Sequence, residues 1–296
     1  MSRSINKEFI ALLHCTQCRS ERLSIEGGAL LCETCGHRRA IDEHQILRER
    51  SMEAFNPSSV YERETKTRYQ SPEYALQYMQ AYVRPRKLSD FYSVFIAWRE
   101  RYAVEQALRS VASDLALVLD LPAGTGKLAP IHEKFAYRVI AADASADMLK
   151  AGMEVWRNDP QLVGMVQTDV RRTGFRSGSV DCTVSVRLMH RLPAVVANEA
   201  LRELARITKR FLIVSTRISA RTISSFRKAP RAHGVAPLDL TDWHRRLAAI
   251  GKLRSTSFVA PGISQEVVSL VDVSRPTTAS SLDHSMADRP PHHVKS

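Results

Sequence analysis

The run Ala116-Leu-Val-Leu-Asp-Leu-Pro-Ala-Gly-Thr-Gly-Lys-Leu-Ala129 constrains this chain more than any other stretch. An apolar strand ends on Asp120, a glycine-containing turn follows, and a helix begins as the turn closes. Glycine lets backbone approach a ligand closely, and a helix N-terminus favours negative charge, so such a turn is a place to bind something. A phosphate-binding P-loop requires G-x-x-x-x-G-K-[ST]; here Leu121 stands where the first glycine belongs and Leu128 where Ser or Thr belongs. The dinucleotide fingerprint is formally matched by Gly124-x-Gly126-x-x-Ala129, with Asp143 at a suitable distance, but that match alone is weak.

Three further strand ends follow in order: Val139-Ile-Ala-Ala-Asp143-Ala-Ser145-Ala-Asp-Met148, then Gln167-Thr-Asp169-Val170, then Ser179-Val-Asp181-Cys-Thr-Val-Ser-Val-Arg187-Leu-Met-His190. With the first run, this series resembles the class I S-adenosylmethionine-dependent methyltransferases, whose first motif is written [DE]-x-G-x-G-x-G. The resemblance spans residues 70–273. It implies an α/β fold, a doubly wound, mostly parallel, seven-stranded Rossmann-like sheet. It also implies S-adenosylmethionine as cofactor, held by Asp120, Pro122, Ala123, Gly124, Gly126, Asp143, Ala144, Met148, Asp169, Val170 and Val186. In the family the second strand's acidic residue, here Asp143, binds the ribose hydroxyls, and the third strand's Asp, here Asp169, meets the adenine amino group. The fourth strand borders the methyl donor. Pro122 departs from the pattern by replacing the first glycine; proline fixes φ near −65°, so that position must be an ordinary extended turn.

The five cysteines carry a second signal, because Cys15, Cys18, Cys32 and Cys35 form two C-x-x-C pairs. Without a secretion signal this spacing reads as metal rather than disulfides. Leu23 to Ile25 and Ala29 to Leu31 predict two short strands joined at Gly27-Gly28, and that hairpin brings both pairs together as a tetrahedral sulfur cage for structural Zn2+. So short a segment buries too little to fold alone, and metal binding of about 10–16 kcal/mol supplies the stability. His37 reads as a neighbour of the site rather than a ligand. The segment resembles the zinc-ribbon modules found in front of some methyltransferases and on other nucleic-acid-handling proteins.

The expected organisation is therefore a zinc ribbon over 1–50, a linker and helical cap over 51–110, the methyltransferase domain over 111–273 and a disordered tail over 274–296. Asn56-Pro57-Ser58-Ser59 marks the linker. Tyr74, Tyr78 and Tyr82 recur at helical spacing, which reads as a core stripe or as a lid over a ligand. The longest apolar run falls short of the roughly 20 residues that cross a membrane, so a cytoplasmic protein with no membrane span is expected.

Methyl transfer from a sulfonium mainly requires alignment of nucleophile and methyl carbon. If a base is needed, His190, just after the fourth strand, is the candidate, with a packing role as the alternative. The net charge of +12 suits phosphates or nucleic acid without specifying either. Arg217, Arg221, Arg227, Lys228, Arg231 and His233 form a basic loop that either meets a phosphorylated or carrier-bound substrate or is a solvated connector. Three functions follow: methylation of an O, N or C nucleophile on a small molecule, as in secondary metabolism; methylation of an rRNA or tRNA base, with the ribbon and basic surface gripping RNA; or a non-catalytic adaptor. Large-subunit rRNA guanine-N1 methyltransferases share the ribbon, but their fourth strand ends in an Ala-Pro-Cys type sequence where this chain has Arg187-Leu-Met-His190. The small-molecule reading is preferred.

Overall fold

The computed structural model describes residues 5, 7–49, 71–83, 88–156, 159–219 and 238–274. The expected linker around Asn56, the loop residues Arg221, Arg227, Lys228, Arg231 and His233, and the expected tail after residue 274 lie outside them. Along the chain, helix α1 (Lys7–Ile10) precedes strands β1 (Leu23–Glu26), β2 (Ala29–Cys32), β3 (Arg38–Ala40) and β4 (Ile46–Leu47). Helices α2 (Pro72–Val83) and α3 (Leu88–Arg109) lead into an alternating series: β5 (Leu117–Asp120), α4 (Ala129–His132), β6 (Arg138–Asp143), α5 (Ala146–Ala151), α6 (Met153–Trp156) and β7 (Leu162–Gln167). The series continues with β8 (Val180–Ser185), α7 (Ala194–Ile207), β9 (Thr208–Arg217), α8 (Leu240–Ala248), β10 (Lys252–Phe258) and β11 (Glu266–Asp272).

The central sheet has eight strands in the order β10-β11-β9-β8-β5-β6-β7-β4. From β4 to β9 all neighbours are parallel; β11 runs antiparallel to both β9 and β10. A parallel sheet covered on both faces needs continuous apolar strands, and β5 is buried at every position. From β5 the chain proceeds to β6 and β7 on one side and to β8 and β9 on the other. The gap between β5 and β8 is thus a topological switch point, where open α/β sheets bind ligands beyond the strands' carboxyl ends. On one face, Ala197, Ala200, Leu201, Leu204 and Ile207 of α7 bury a helical stripe. On the other, Ile96, Val104 and Leu108 of α3 pack over β5, β8 and β9.

The eighth strand is an addition to the seven expected, and it comes from the cysteine-bearing segment. That segment forms its own antiparallel sheet, β1-β2-β3, in which β3 was not anticipated. Gly27 and Gly28 turn the hairpin with φ of 55° and 73°, a conformation that favours glycine. The chain then leaves this sheet, and β4 adds to the edge of the central one, pairing Ile46 with Met165 and Leu47 with Val166. Phe9, Leu13, Leu30 and Leu47 join the same core as Val166 and Phe175, each such side chain contributing about 1.5–3 kcal/mol on burial. Phe9 lies flat enough on β7 that a Cβ on Gly164 would stand 3.2 Å from its ring. The module and the central sheet are therefore one packed body. Covering the β7 edge also removes an exposed strand that would invite aggregation. No helix among the described residues is long and apolar enough to cross a membrane.

Candidate functional site

The cysteines of the N-terminal module converge. Cys15 and Cys35 place their Sγ atoms 3.6 Å apart, as do Cys18 and Cys32. All four sulfurs lie within 4.8 Å of one another. Sulfurs around a zinc ion at about 2.3 Å stand roughly 3.8 Å from each other in a tetrahedron, so the cluster has the dimensions of such a cage. The Gln17 amide donates to Cys15 Sγ at 3.4 Å, a contact that stabilises thiolate. His37 stays outside the cluster, with Nε2 3.3 Å from Thr16 Oγ1.

A cavity opens over the carboxyl ends of β5 and β8. Pro122, Ala123 and Gly124 form its floor, Asp143, Ala144 and Met148 one wall, Asp169 and Val170 another, and Val186 the end towards β8. The turn is built as glycine allows: Gly124 has φ of 53° and Gly126 of 76°. The Asp143 carboxylate accepts from the Gly124 amide at 2.9 Å and the Ser145 amide at 2.8 Å. Burial pushes its carboxyl up to about 6, against those amide bonds. Asp169 is held by Arg171, whose Nε and Nη2 lie 3.1 and 2.9 Å from its two oxygens.

Three residues expected at the site sit elsewhere. Asp120 is buried beneath the turn rather than facing the cavity; its Oδ2 lies 3.6 Å from His132 Nε2, and burial raises its carboxyl. Gly126 does not line the cavity, because its bare Cα is needed for packing: a Cβ there would stand 3.0 Å from Trp156 Nε1. His190 belongs to a one-turn helix beside the cavity and does not line it. Burial, then the nearby Arg217, pulls its imidazole down to about 3, which keeps it neutral. Its place as catalytic base is not supported by this geometry.

Other residues take the space. Tyr78 of α2, Glu100 of α3, Lys127 and Arg187 line the cavity. The Lys127 ammonium stands 3.6 Å from the centre of the Tyr78 ring, so the tyrosine serves as cavity wall rather than core filler. Burial, then Arg187, holds Lys127 well below the usual lysine range. Arg187 adopts φ of 63°, rare for a side-chain-bearing residue and typical of functional sites; its amide is fixed by Ser215 Oγ at 2.8 Å. Its Nη1 lies 3.5 Å from Glu100 Oε2. Glu100 and Lys127 carried no signal in sequence, since a charged residue in a long helical pattern or in a turn reads as solvated.

A mostly parallel sheet with its cavity at the switch point is the architecture of the Rossmann-like nucleotide-cofactor enzymes. A family model described as a methyltransferase domain matches residues 118–210. Among solved structures, magnesium protoporphyrin IX methyltransferase from Synechocystis PCC 6803 with bound S-adenosylmethionine superposes with a TM-score of 0.57 at 16% identity, covering 74% of this chain and 100% of that one. The PH0226 protein of Pyrococcus horikoshii OT3 gives a TM-score of 0.50 at 15% identity, over 58% and 88% of the two chains. A search of curated proteins finds no match. Residues 118–210 thus match a methyltransferase domain, within a fold shared with these structures.

Proposed function

We propose that this protein transfers the methyl group of S-adenosylmethionine to a small-molecule acceptor, with a structural zinc ion in its N-terminal module. The observation that carries the reading is the cavity at the β5/β8 switch point, which is lined by nine of the eleven residues assigned to the cofactor by motif. Gly124 lets the backbone approach the methionine end, Asp143 offers paired acceptors to ribose hydroxyls, Met148 flanks the adenine, and Asp169 with Val170 closes around it. Bound S-adenosylmethionine supplies a methyl carbon activated by its sulfonium. The chain's task is to align an acceptor with that carbon and exclude water.

A small acceptor is favoured because the cavity is also lined by apolar residues such as Val94, Ala97 and Leu188. Zinc is favoured by the sulfur spacing, which suits a closed four-thiolate site with no open position for chemistry. Calorimetric titration of the purified protein with S-adenosylhomocysteine, after elemental analysis, tests both parts. Micromolar binding with one zinc per chain is expected. Folded, zinc-loaded protein that does not bind S-adenosylhomocysteine would instead mark a non-catalytic adaptor.

A further inference from the structure

The cavity is also lined by charged residues outside the set assigned to the cofactor by motif. Glu100 comes from α3, Lys127 from the turn after β5 and Arg187 from the end of β8, and all three face the cavity. Behind Glu100 lies Glu266, the first residue of β11, buried and within hydrogen-bonding reach of the Glu100 carboxyl. Two carboxyls in contact and out of water share a proton rather than both ionise. Resting on the cofactor reading above, we propose that Glu100 accepts the proton of a phenolic hydroxyl as that oxygen is methylated, with the Arg187 guanidinium beside the oxygen as it becomes negative.

The cluster selects this acceptor class by elimination. An ammonium acceptor would meet the Arg187 guanidinium and the cofactor's own sulfonium, two like charges in a low-dielectric space. An aliphatic alcohol is too weak an acid to yield its proton to a carboxyl. A phenol, with a pKa of about 10, is matched: burial and then the Glu266 carboxylate push Glu100 up to about 8, while Arg187 and Lys127 oppose them. Burial would raise Glu266 too, but Arg187 and Arg217 around it hold it below the usual range. The shared proton therefore favours Glu100, the member that faces the acceptor, and Glu100 can take an acceptor's proton only once it has ionised. The strained backbone of Arg187, pinned by Ser215, fixes the guanidinium before substrate arrives. In the step itself, the acceptor oxygen forms an O–C bond to the methyl carbon as the C–S bond breaks. The sulfonium leaves as the neutral thioether S-adenosylhomocysteine, and the hydroxyl proton passes to the ionised Glu100 carboxylate.

The test uses the full-length, zinc-loaded protein with methyl-labelled S-adenosylmethionine and two probes, catechol, which must lose a proton, and 4-nitrocatechol, which is already ionised at neutral pH. Wild-type methylation of catechol should rise with pH through about 8. Glu100→Gln should lower it on the order of 100-fold yet spare 4-nitrocatechol. Equal loss on both probes, or none on catechol, overturns the proposal. So does S-adenosylhomocysteine binding without methylation of either phenol; failure to bind S-adenosylhomocysteine overturns the cofactor reading, and the proposal with it. Carbon-13 NMR of glutamate-labelled protein supplies a readout apart from activity: one side-chain carboxyl should titrate near 8 and be missing in Glu100→Gln. Should that variant not fold, Glu266→Gln decides, because removing the neighbouring carboxylate must move both the titration and the catechol limb to lower pH. An unmoved limb refutes the role.

Discussion

The Arg39 guanidinium lies 3.2 Å from the Glu49 carboxylate, and both side chains are buried where the cysteine module meets the central sheet. Arg39 Nη2 also donates to the Gln167 carbonyl at 3.4 Å, and the Gln167 side chain donates to the Ala144 carbonyl at 3.2 Å. The module is thereby joined, through one glutamine, to the wall of the cofactor cavity.

Arg39→Met should destabilise the fold by about 3–5 kcal/mol, the cost of removing one partner from a buried ion pair. Because Gln167 loses a neighbour on the same change, the affinity for S-adenosylhomocysteine should fall as well. Urea unfolding and calorimetry on the variant measure the two effects; a stability equal to wild type would show that the pair is idle.

Metal removal should reach the central domain. Cys15→Ser, or a strong chelator, should release the zinc and lower the midpoint of thermal unfolding in a single transition, since α1 and β4 share the core of the sheet. Two separate transitions, with the later one unshifted, would mean that the module unfolds independently.

The Asp143 carboxyl makes cofactor binding sensitive to pH. It sits near 6 because of burial, and only its ionised form offers both oxygens to ribose hydroxyls. Affinity for S-adenosylhomocysteine should be full above that pH and decline as pH drops through it. Asp143→Ala should abolish binding at every pH, and an unchanged dissociation constant in that variant would displace the ribose site. The stability effect has the opposite sign. A carboxyl raised above the usual value of about 3.9 favours the folded state at low pH, and that contribution is lost as pH rises through 6.

Gly126→Ala should cost about 1–3 kcal/mol for the positive φ alone, with a Cβ 3.0 Å from Trp156 Nε1 adding to it. Trp156 fluorescence under denaturant reports the loss directly. A neutral result would show that the turn yields more easily than its packing suggests.

What the chain determines locally was legible from residues alone. Apolar runs ending in Asp120, Asp143 and Gln167 specify strands because both faces of a parallel sheet are buried, and Gly124 marks a backbone that must adopt positive φ. The four cysteines announce their cluster because thiolates at C-x-x-C spacing have few other stable arrangements. Tertiary structure decided the rest. β4 is a two-residue strand, too short for any periodicity, and becomes one only because the β7 edge and the Phe9 core receive it. Asp120 turns to His132 instead of the cavity because its side of β5 faces inward. The group of Glu100, Lys127, Arg187 and Glu266 is drawn from four elements scattered along the chain. No spacing rule joins such residues, because their charges come into contact only once helix α3, the β5 turn, the end of β8 and β11 have packed together.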